Sequence, residues 1–459
     1  MTQTVSQALA EWVVGVNYDT LPDEITAHAR KTLVNSIGTA IGAFPLEDVQ
    51  RAVGYVAAQK VTGPCTVLVS GDRVHAGGAS FANGVMFNNL GQEETHLQSG
   101  THPVETTTPV VLAVAEQLGS SGKAVLEALV VGAEVTMAVA RMSLTPAVKY
   151  DLCEAPAVYG TVGAAAAAAK LLGLDQASTA HALGLAANFA AGLSECIRTG
   201  TDEYHFIVAQ ASAHAELAVR LAEGGAISSA TSFEGGGGFY HLFAGVAREV
   251  LQGHDVPGDV MSRLGTHWGL PELIYKPYPV NYFNQVFADG ALDLRTKNNL
   301  TASDVTSVRI TVGQLASTSG AMVPPPYSTR GGVLGSTRFC VASMLARGTL
   351  GLTDTQDLTA TDIAGIMEKT EVVAHDGLTT SRVEVSTVDG QTFTFDGDTE
   401  GRDYRLSEPE INDIFRQAVS GILPATQLEE LLANLSDVAA AGDIRKIMAL
   451  TVAGQDGGQ

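Results

Sequence analysis

Apolar residues recur at helical spacing through the first half of the chain. From Val5 to about Ala222 successive segments show this period, for example ALVVGAEVTMAVARM at 128–142, where small residues alternate with the apolar stripe. Gly119 and Gly173 follow two of these segments, and glycine supplies the left-handed residue that ends many helices. The first half is therefore predicted to be mostly helical.

The hydrophobic period changes from 3.6 to 2 after residues 269–283, where three prolines disfavour helix. The stretch TSVRITVG at 306–313 alternates as a half-buried strand would. Residues 381–397 read as two strands joined by Asp389-Gly390, a dipeptide that favours a tight hairpin turn. This part of the chain is therefore predicted to combine strands with helices.

These patterns predict two domains and a mainly α fold. A chain of 459 residues exceeds what one hydrophobic core usually supports. We expect a large all-helical domain from 1–269 and 406–459, with a smaller α+β domain at 270–405 inserted before a C-terminal helical return that starts near Pro409. The Gly-rich end at 453–459 is predicted to fray.

Charge and composition exclude several classes of function. A net charge of -22 argues against a nucleic-acid partner, which needs a basic face. The apolar stretch at 157–174 is mostly Ala and Gly and is interrupted by Lys170, so it predicts a buried helix and no membrane contact. The first residues lack a basic start and a long apolar run, so we expect a cytoplasmic protein. Four widely spaced cysteines favour reduced, buried thiols over a metal site.

Five segments together resemble the MmgE/PrpD family over nearly the whole chain. The carriers are LVNSIGTAIGAF (33–44), FANGVMFNNLGQEETH (81–96) with THPVETTTPVVLAVAE (101–116), GTVGAAAAAAKLLGLD (160–175), FEGGGGFYHLFAG (233–245) and YKPYPVNYF (275–283). The resemblance implies a large helical domain, a smaller α+β lid domain, a cleft between them and a homodimer. It also implies lyase or isomerase chemistry on small carboxylic acids without a cofactor.

Several positions of the family's active site are retained, and others are substituted. By this resemblance Thr95, the His-Pro residue His102 and the lysine of Lys-Pro-x-Pro, Lys276, are kept. Gly91 stands where the family commonly has the first acid of an Asp-x-Asp-Asp-Thr stretch. Glu154 occupies the place of a second histidine.

Two further places differ from the family pattern. Tyr204 stands where a lysine is often found, and Asn281 stands where a histidine often follows the Lys-Pro-x-Pro segment. Tyr278, within that segment, and His96 complete the set that the resemblance places near substrate. The resemblance thus implies His102, Lys276, Glu154 and Tyr204 as catalytic residues, and Thr95, His96, Asn281 and Tyr278 as substrate-binding residues.

Removing water from a hydroxy acid requires a base for the carbon-bound proton, an acid for the leaving group and donors for the enolate-like charge. His102 is the natural proton carrier and Lys276 a point charge for a carboxylate. The alternatives are a turn-forming histidine, a solvated lysine and, for Glu154, a helix-start or ion-paired carboxylate. Glu93, Glu94, His96 and His102 together offer metal-ligand types, but no H-E-x-x-H or comparable helical spacing is present, so we expect no metal.

The sequence thus predicts a cofactor-independent lyase of the dehydratase type for a small hydroxy-carboxylic acid. Because cations are replaced at three family positions, we expect a substrate with fewer negative charges than a tricarboxylate. One alternative is an epimerase, isomerase or decarboxylase, since all of these stabilise a carbanion. The other is a catalytically degenerate protein that acts in binding or as a scaffold.

Overall fold

The computed structural model describes residues 3–142, 153–246, 251, 255–317, 320–377 and 379–454, so part of the end predicted to fray, 455–459, lies outside the described residues. The chain divides into two compact units. The first comprises Met1–Leu193, His205–Tyr275 and Arg405–Gln459, and the second comprises Ser194–Tyr204 and Lys276–Tyr404. The prediction of a mainly α protein with a smaller α+β part is confirmed.

The first unit is built mainly from helices. In chain order they are α1 (Val5–Gly15), α2 (Asp23–Ala43), α3 (Glu47–Ala58), α4 (Ala76–Asn89), α5 (Thr107–Leu118), α6 (Gly122–Arg141), α7 (Ala155–Leu172) and α8 (Gln176–Phe189). Beyond the short helix α9 (Glu195–Thr199) of the second unit come α10 (Glu203–Glu223), α11 (Phe239–Phe243) and α12 (Val256–Met261). A small antiparallel pair, β1 (Thr62–Thr66) and β2 (Arg73–Val74), lies between α3 and α4.

Close approach of α6 and α7 forms the centre of this unit. A Cβ built on Gly163 would lie 1.9 Å from Thr136 Oγ1 and 2.3 Å from the carbonyl oxygen of Gly132, so only glycine fits there. Both helices are buried along most of their length, as the small-residue pattern at 128–142 predicts. The packing holds the first turn of α7, which begins beside Glu154, in a dry environment.

Helix α7 is the one described helix that is long and apolar enough, by length and composition, to cross a membrane. In this structure 83% of it is buried inside the protein. It ends at Gly173, whose φ of 65° closes the helix as predicted, and Gly119 closes α5 with a φ of 67°. The prediction of a buried core helix at 157–174 is confirmed.

The second unit packs helices against a four-stranded sheet. Its helices are α13 (Tyr282–Lys297), α14 (Gln314–Ser317), α15 (Arg330–Gly335), α16 (Thr337–Arg347), α17 (Leu352–Gln356), α18 (Thr361–Met367) and α19 (Gly397–Glu400). Its strands are β3 (Val305–Gly313), β4 (Thr370–His375), β5 (Ser381–Thr387) and β6 (Thr392–Asp396). The order is β4-β3-β5-β6, with β3 and β4 parallel and the other pairs antiparallel.

The hairpin predicted at Asp389-Gly390 is confirmed, since β5 and β6 pair with Val383 opposite Phe395. Alternating burial along β3 turns Val308, Ile310 and Val312 into the core, again as predicted. A Cβ on Gly290 of α13 would lie 2.3 Å from Phe395, so glycine lets this helix approach the sheet.

After the second unit the chain returns to the first unit as helices. These are α20 (Glu408–Val419), α21 (Ala425–Ser436) and α22 (Arg445–Leu450). Helix α20 packs against α2 so closely that a Cβ on Gly38 would lie 2.6 Å from Phe415. The predicted helical return is therefore observed, and it completes the core of the first unit.

Candidate active site

The loop between α4 and α5 carries Thr95 and His102. Its backbone is fixed within the first unit, because Thr95 N donates to Ile274 O at 2.9 Å and Ile274 N donates to Thr95 O at 3.0 Å. Within the loop, His96 N donates to Thr101 O at 2.9 Å. Such paired backbone groups hold side chains in place more firmly than an open loop would.

Gly91 explains one departure from the family pattern. Its φ is +81°, in the left-handed region that glycine adopts without strain and side-chain-bearing residues adopt reluctantly. The chain leaves α4 through this turn to reach Glu93 and Glu94. The family's acid is therefore absent at a position where the backbone conformation favours glycine.

His102 is oriented by the contacts of its Nδ1 and lies near the carboxylate of Glu93. Its Nδ1 lies 2.5 Å from the carbonyl oxygen of Glu94 and 3.2 Å from Thr95 Oγ1. Because a carbonyl oxygen only accepts, Nδ1 carries the hydrogen, and Nε2 presents its lone pair when the ring is neutral. Nε2 lies 3.9 Å from Glu93 Oε1, and 17% of the side chain is exposed. These are the features of a general base with a carboxylate beside it.

Four buried glutamates of the first unit, Glu93, Glu94, Glu105 and Glu154, influence one another electrostatically. Burial raises the pKa of Glu105 well above its ordinary value, and the charge of Glu93 raises it further. The hydrogen bond from Asn88 Nδ2 to Glu105 Oε2, 2.8 Å long, acts in the opposite direction. Carboxylates that face each other away from water cannot all ionise, so part of this set is neutral at neutral pH.

Glu154 is the residue before α7 and caps its N-terminus. Its Oε2 accepts a hydrogen bond from Ala157 N at 2.8 Å, so of the alternatives given by the sequence the helix-start carboxylate is the one observed. Burial raises the pKa of Glu154 to about 7, despite that hydrogen bond, and the charge of Glu93 adds to the rise. Glu154 can thus hold a proton near neutral pH, as a general acid must.

His96 is bound on both ring nitrogens. Its Nδ1 accepts from Ser99 N at 3.1 Å, which puts the hydrogen on Nε2, 2.9 Å from Glu272 Oε2. The ring is fully buried. Neither nitrogen can bind substrate or metal without breaking these bonds, so the geometry favours a structural role in the loop over the predicted binding role.

Asn88 and Glu105, which the sequence did not single out, join this cluster. Asn88, in the last turn of α4, donates to Glu105, and its Oδ1 lies 2.5 Å from Nδ1 of His205 on α10. All three side chains are buried. Glu105 lies three residues beyond His102 in the stretch THPVE. An acid so close to a predicted base was the feature of the sequence from which Glu105 could have been identified as a candidate.

Tyr278 and Asn281 lie in the second unit and make local contacts there. The Tyr278 hydroxyl donates to Asp289 Oδ1 at 2.8 Å. Asn281 caps α13, with its Oδ1 accepting from Phe283 N at 3.2 Å and its own N–H donating to Leu334 O. These hydrogen bonds therefore stabilise α13 and the segment that precedes it.

Lys276 and Tyr204 also belong to the second unit. Lys276 is 1% exposed, which excludes the solvated lysine that the sequence left open. Burying a lysine side chain costs free energy unless polar or acidic groups compensate it, so the burial of Lys276 indicates a polar environment. Tyr204 is half-buried and is the second residue of α10.

The structure thus brings Thr95 into contact with His102 and links Glu154 to the same cluster through Glu93. A partly buried imidazole beside a buried carboxylate, in the same unit as two glutamates whose pKa values are raised by burial, is typical of an enzyme that works by acid–base chemistry.

The chain belongs to the MmgE/PrpD family. Residues 7–250 match the MmgE/PrpD N-terminal domain, and residues 278–437 match the MmgE/PrpD C-terminal domain. The resemblance stated from the sequence is therefore confirmed.

Several characterised proteins are similar to this chain. Human cis-aconitate decarboxylase is 24% identical over 462 residues, which cover 95% of this chain and 93% of that protein. The cis-aconitate decarboxylase-like protein oryM of Aspergillus oryzae is 22% identical, with 97% of each chain covered. Cis-aconitate decarboxylase of the mouse is 27% identical over 303 residues, covering 64% of this chain and 59% of that protein. Family and relatives support a lyase-type enzyme of small carboxylates.

Proposed function

We propose that the protein is a lyase of the dehydratase type, acting on a small hydroxy-carboxylic acid without a cofactor. The observation that carries this proposal is a base and a proton-holding acid in one buried cluster. His102 Nε2 lies 3.9 Å from Glu93 Oε1, and burial raises the pKa of Glu154 to about 7, so Glu154 keeps a proton up to about that pH. Loss of water needs both groups, one for the carbon-bound proton and one for the departing hydroxyl.

In the proposed reaction, His102 Nε2 takes the proton from the carbon next to the substrate carboxylate. Glu93 then stabilises the resulting imidazolium, and Glu154 protonates the leaving hydroxyl. Lys276 is proposed to bind the carboxylate whose charge grows in the transition state, with Tyr204 and Asn281 as further donors. Tyr278, whose hydroxyl donates to Asp289, is proposed to contact the substrate as an acceptor. Every proton lost by one group is gained by another, and no electron transfer is required.

The negative charge of the buried glutamates limits the number of carboxylates that a substrate can carry. Four buried glutamates, Glu93, Glu94, Glu105 and Glu154, influence one another electrostatically, and Glu93 lies 3.9 Å from His102. Those that stay ionised repel additional substrate carboxylates, because Coulomb interactions are strong away from water. We therefore propose a mono- or dicarboxylate as substrate.

A second candidate is a decarboxylase of a small carboxylic acid. The similarity to cis-aconitate decarboxylases of the mouse and of humans favours it. Loss of CO2 leaves a carbanion that needs an acid, and Glu154 or the imidazolium of His102 would supply the proton. The two reactions differ in whether a base is needed for a carbon-bound proton.

The test is a substrate panel with separate readouts. Small 2- and 3-hydroxy acids are followed by ultraviolet absorption of the conjugated double bond, unsaturated acids by CO2 release, and both by deuterium uptake from heavy water. Dehydration predicts new absorption without CO2, whereas CO2 release supports the second candidate. Deuterium uptake without either product would indicate an epimerase or isomerase.

His102→Asn serves as the site variant and His181→Asn as its matched control. His181 lies on α8, where its Nδ1 contacts Ser228 and not the glutamate cluster. Loss of general-base catalysis predicts a decrease in kcat of about 100-fold or more for the His102 variant. Full turnover by that variant would reject the proposed role of His102. An absence of ligand-induced thermal shifts across the panel would favour the alternative of a catalytically degenerate protein.

A homodimer, which the family resemblance implies, and a cytoplasmic location, which the first residues indicate, both stay predictions. Sedimentation of the purified chain tests the first part, with a monomer at micromolar concentration as the contrary result.

A further inference from the structure

Helix α2 presents two buried polar side chains, Thr32 and Asn35, on one face. They are three residues apart, which places them about one turn from each other on the same side of the helix, and both are fully buried. Asn35 lies in 33–44, one of the five segments that resemble the family, and the proposed reaction gives it no part. Buried polar groups need hydrogen-bond partners, so the partners of this face show what it holds in place.

Asn35 binds the start of the loop segment that carries Glu93. Its Nδ2 donates to the carbonyl oxygen of Gln92 at 3.1 Å, and this bond is buried. The Gln92 carbonyl and the Glu93 N–H belong to one planar peptide unit, so a donor that fixes the first also fixes the direction of the second. Asn35 therefore fixes the chain just beyond the glycine turn at Gly91.

Thr32 binds the segment that pairs with the same loop. The Thr32 hydroxyl donates to His28 O at 2.8 Å, so in its 2.8 Å bond to Tyr275 the tyrosine hydroxyl is the donor. Tyr275 follows Ile274, whose backbone exchanges two hydrogen bonds with that of Thr95. Thr32 therefore holds the segment against which Thr95 is fixed.

The two anchors enclose a short stretch of backbone that determines the surroundings of His102. Gln92 is held at one end and Thr95 at the other. Between them, Glu94 O lies 2.5 Å from His102 Nδ1, and Glu93 Oε1 lies 3.9 Å from His102 Nε2. A shift of this backbone would therefore move the groups that face both nitrogens of the imidazole ring.

We propose that Asn35 and Thr32 are positioning residues that hold the backbone of 92–95 in the path that orients the His102 ring. Through this backbone they keep the Glu94 carbonyl oxygen on Nδ1 and the Glu93 carboxylate near Nε2. Each acts through one hydrogen bond and the peptide chain, without a contact with substrate. The effect on turnover rests on the proposed acid–base function, whereas the effect on the ring does not.

Asn35→Ala is the first site variant, and Asn83→Ala is its matched control. The Asn35 variant removes the donor to Gln92. Asn83 is also a fully buried helix asparagine, but its amide binds the backbone of Thr66 and Leu68. The control loses two hydrogen bonds where the site variant loses one, so it tests whether lost stability alone disturbs His102.

Thr32→Val is the second site variant, and Thr39→Val is its matched control. Valine has the shape of threonine, so the Thr32 variant removes the acceptor of the Tyr275 hydroxyl without opening a cavity. Thr39 is a fully buried threonine of the same helix, and its hydroxyl donates to Ser36 O within α2. All four variants are compared in the full-length chain.

The first readout is the tautomer of His102, which needs no substrate. Nitrogen NMR of the ring, assigned with His102→Asn, distinguishes a hydrogen on Nδ1 from one on Nε2. At a pH where the ring is neutral, the wild-type hydrogen is expected on Nδ1, because Glu94 O accepts it. Asn35→Ala and Thr32→Val are expected to increase the fraction with the hydrogen on Nε2, and the two controls to leave it unchanged.

Several results would overturn the proposal. A wild-type hydrogen on Nε2 contradicts the orientation of the ring. An unchanged tautomer in a folded Asn35→Ala or Thr32→Val chain removes the positioning role of that residue. An equal change in the controls assigns the effect to a general loss of stability. Should Asn35→Ala fail to fold, Asn35→Leu takes its place, since leucine has the same branched shape and no donor.

Activity provides the second readout once a substrate is known. Misplacement of a base by a fraction of an ångström to an ångström predicts a decrease in kcat of about 10- to 100-fold for both site variants, with KM little changed. The controls should keep the wild-type kcat even where Tm falls, and an equal loss in them contradicts the proposal. If the substrate panel gives no turnover, the proposed function fails while the NMR test still decides the positioning role.

Discussion

Replacing Glu154 by glutamine should stabilise the protein at alkaline pH and leave it unchanged at acid pH. Glutamine keeps a side-chain oxygen that can accept from Ala157 N, so the cap of α7 is preserved. What changes is the ionisable proton. Burial raises the pKa of Glu154 from its ordinary value of 4.5 to about 7, so ionisation is harder in the folded protein than in the unfolded chain.

The magnitude follows from that difference in pKa. Below about pH 4.5 both states hold the proton and Glu154 does not affect the free energy of unfolding. Between pH 4.5 and 7 the unfolded chain ionises and the folded protein does not, so stability is lost as the pH rises. Above pH 7 the loss levels off at about 3 kcal/mol, from a pKa difference of about 2.5 at roughly 1.4 kcal/mol per unit.

The assay is urea-induced unfolding of wild type and Glu154→Gln across this pH range. The free energy of unfolding of the variant should exceed that of wild type by about 3 kcal/mol at pH 8 and by almost nothing near pH 4.5. Asp175→Asn is the control, because Asp175 caps α8 from an exposed position and its hydrogen bonds to Ser178 lower its pKa. That variant should lose stability relative to wild type at neutral pH, and the difference should shrink as the pH falls. A pH-independent effect of Glu154→Gln would refute the reasoning.

Three further substitutions test the packing and hydrogen bonds of the first unit. Gly163→Ala forces α6 and α7 apart at Thr136 and should cost about 1–3 kcal/mol in urea-induced unfolding; an unchanged midpoint would contradict the close approach. Glu116→Ala leaves the buried Thr66 N–H without its acceptor and should cost about 2–4 kcal/mol, provided that the slope of the unfolding curve is unchanged. His96→Ala removes two hydrogen bonds of the loop and should lower Tm, and an equal Tm would argue against its structural role.

Much of the fold follows from local patterns. Helical spacing at 128–142, alternation at 306–313 and the Asp389-Gly390 turn each specify an element through residues that are neighbours in sequence. The same is true of Gly119 and Gly173, since a helix needs a left-handed residue to close it. These elements are observed where the sequence predicts them.

The contacts that determine the protonation of the site join residues that are far apart in sequence. Asn88 and His205 are 117 residues apart, yet their hydrogen bond orients the amide that binds Glu105. The raised pKa of Glu154 results from burial, which depends on how α7 packs and not on its neighbours in sequence. The sequence supplied the acids and the histidine, but only tertiary structure assigns protons to them.

The neutral state of Glu154 also bears on why an acid can stand where the family resemblance places a histidine. At a pH below about 7 a carboxyl group with this pKa is uncharged and carries a proton, as a protonated imidazole does, but it brings no positive charge. The site would then keep a proton donor while losing attraction for a polyanion. The same burial that lowers stability above pH 7 is what allows Glu154 to act as an acid, so Glu154→Gln should gain stability and lose turnover together. A gain in both would separate Glu154 from the chemistry.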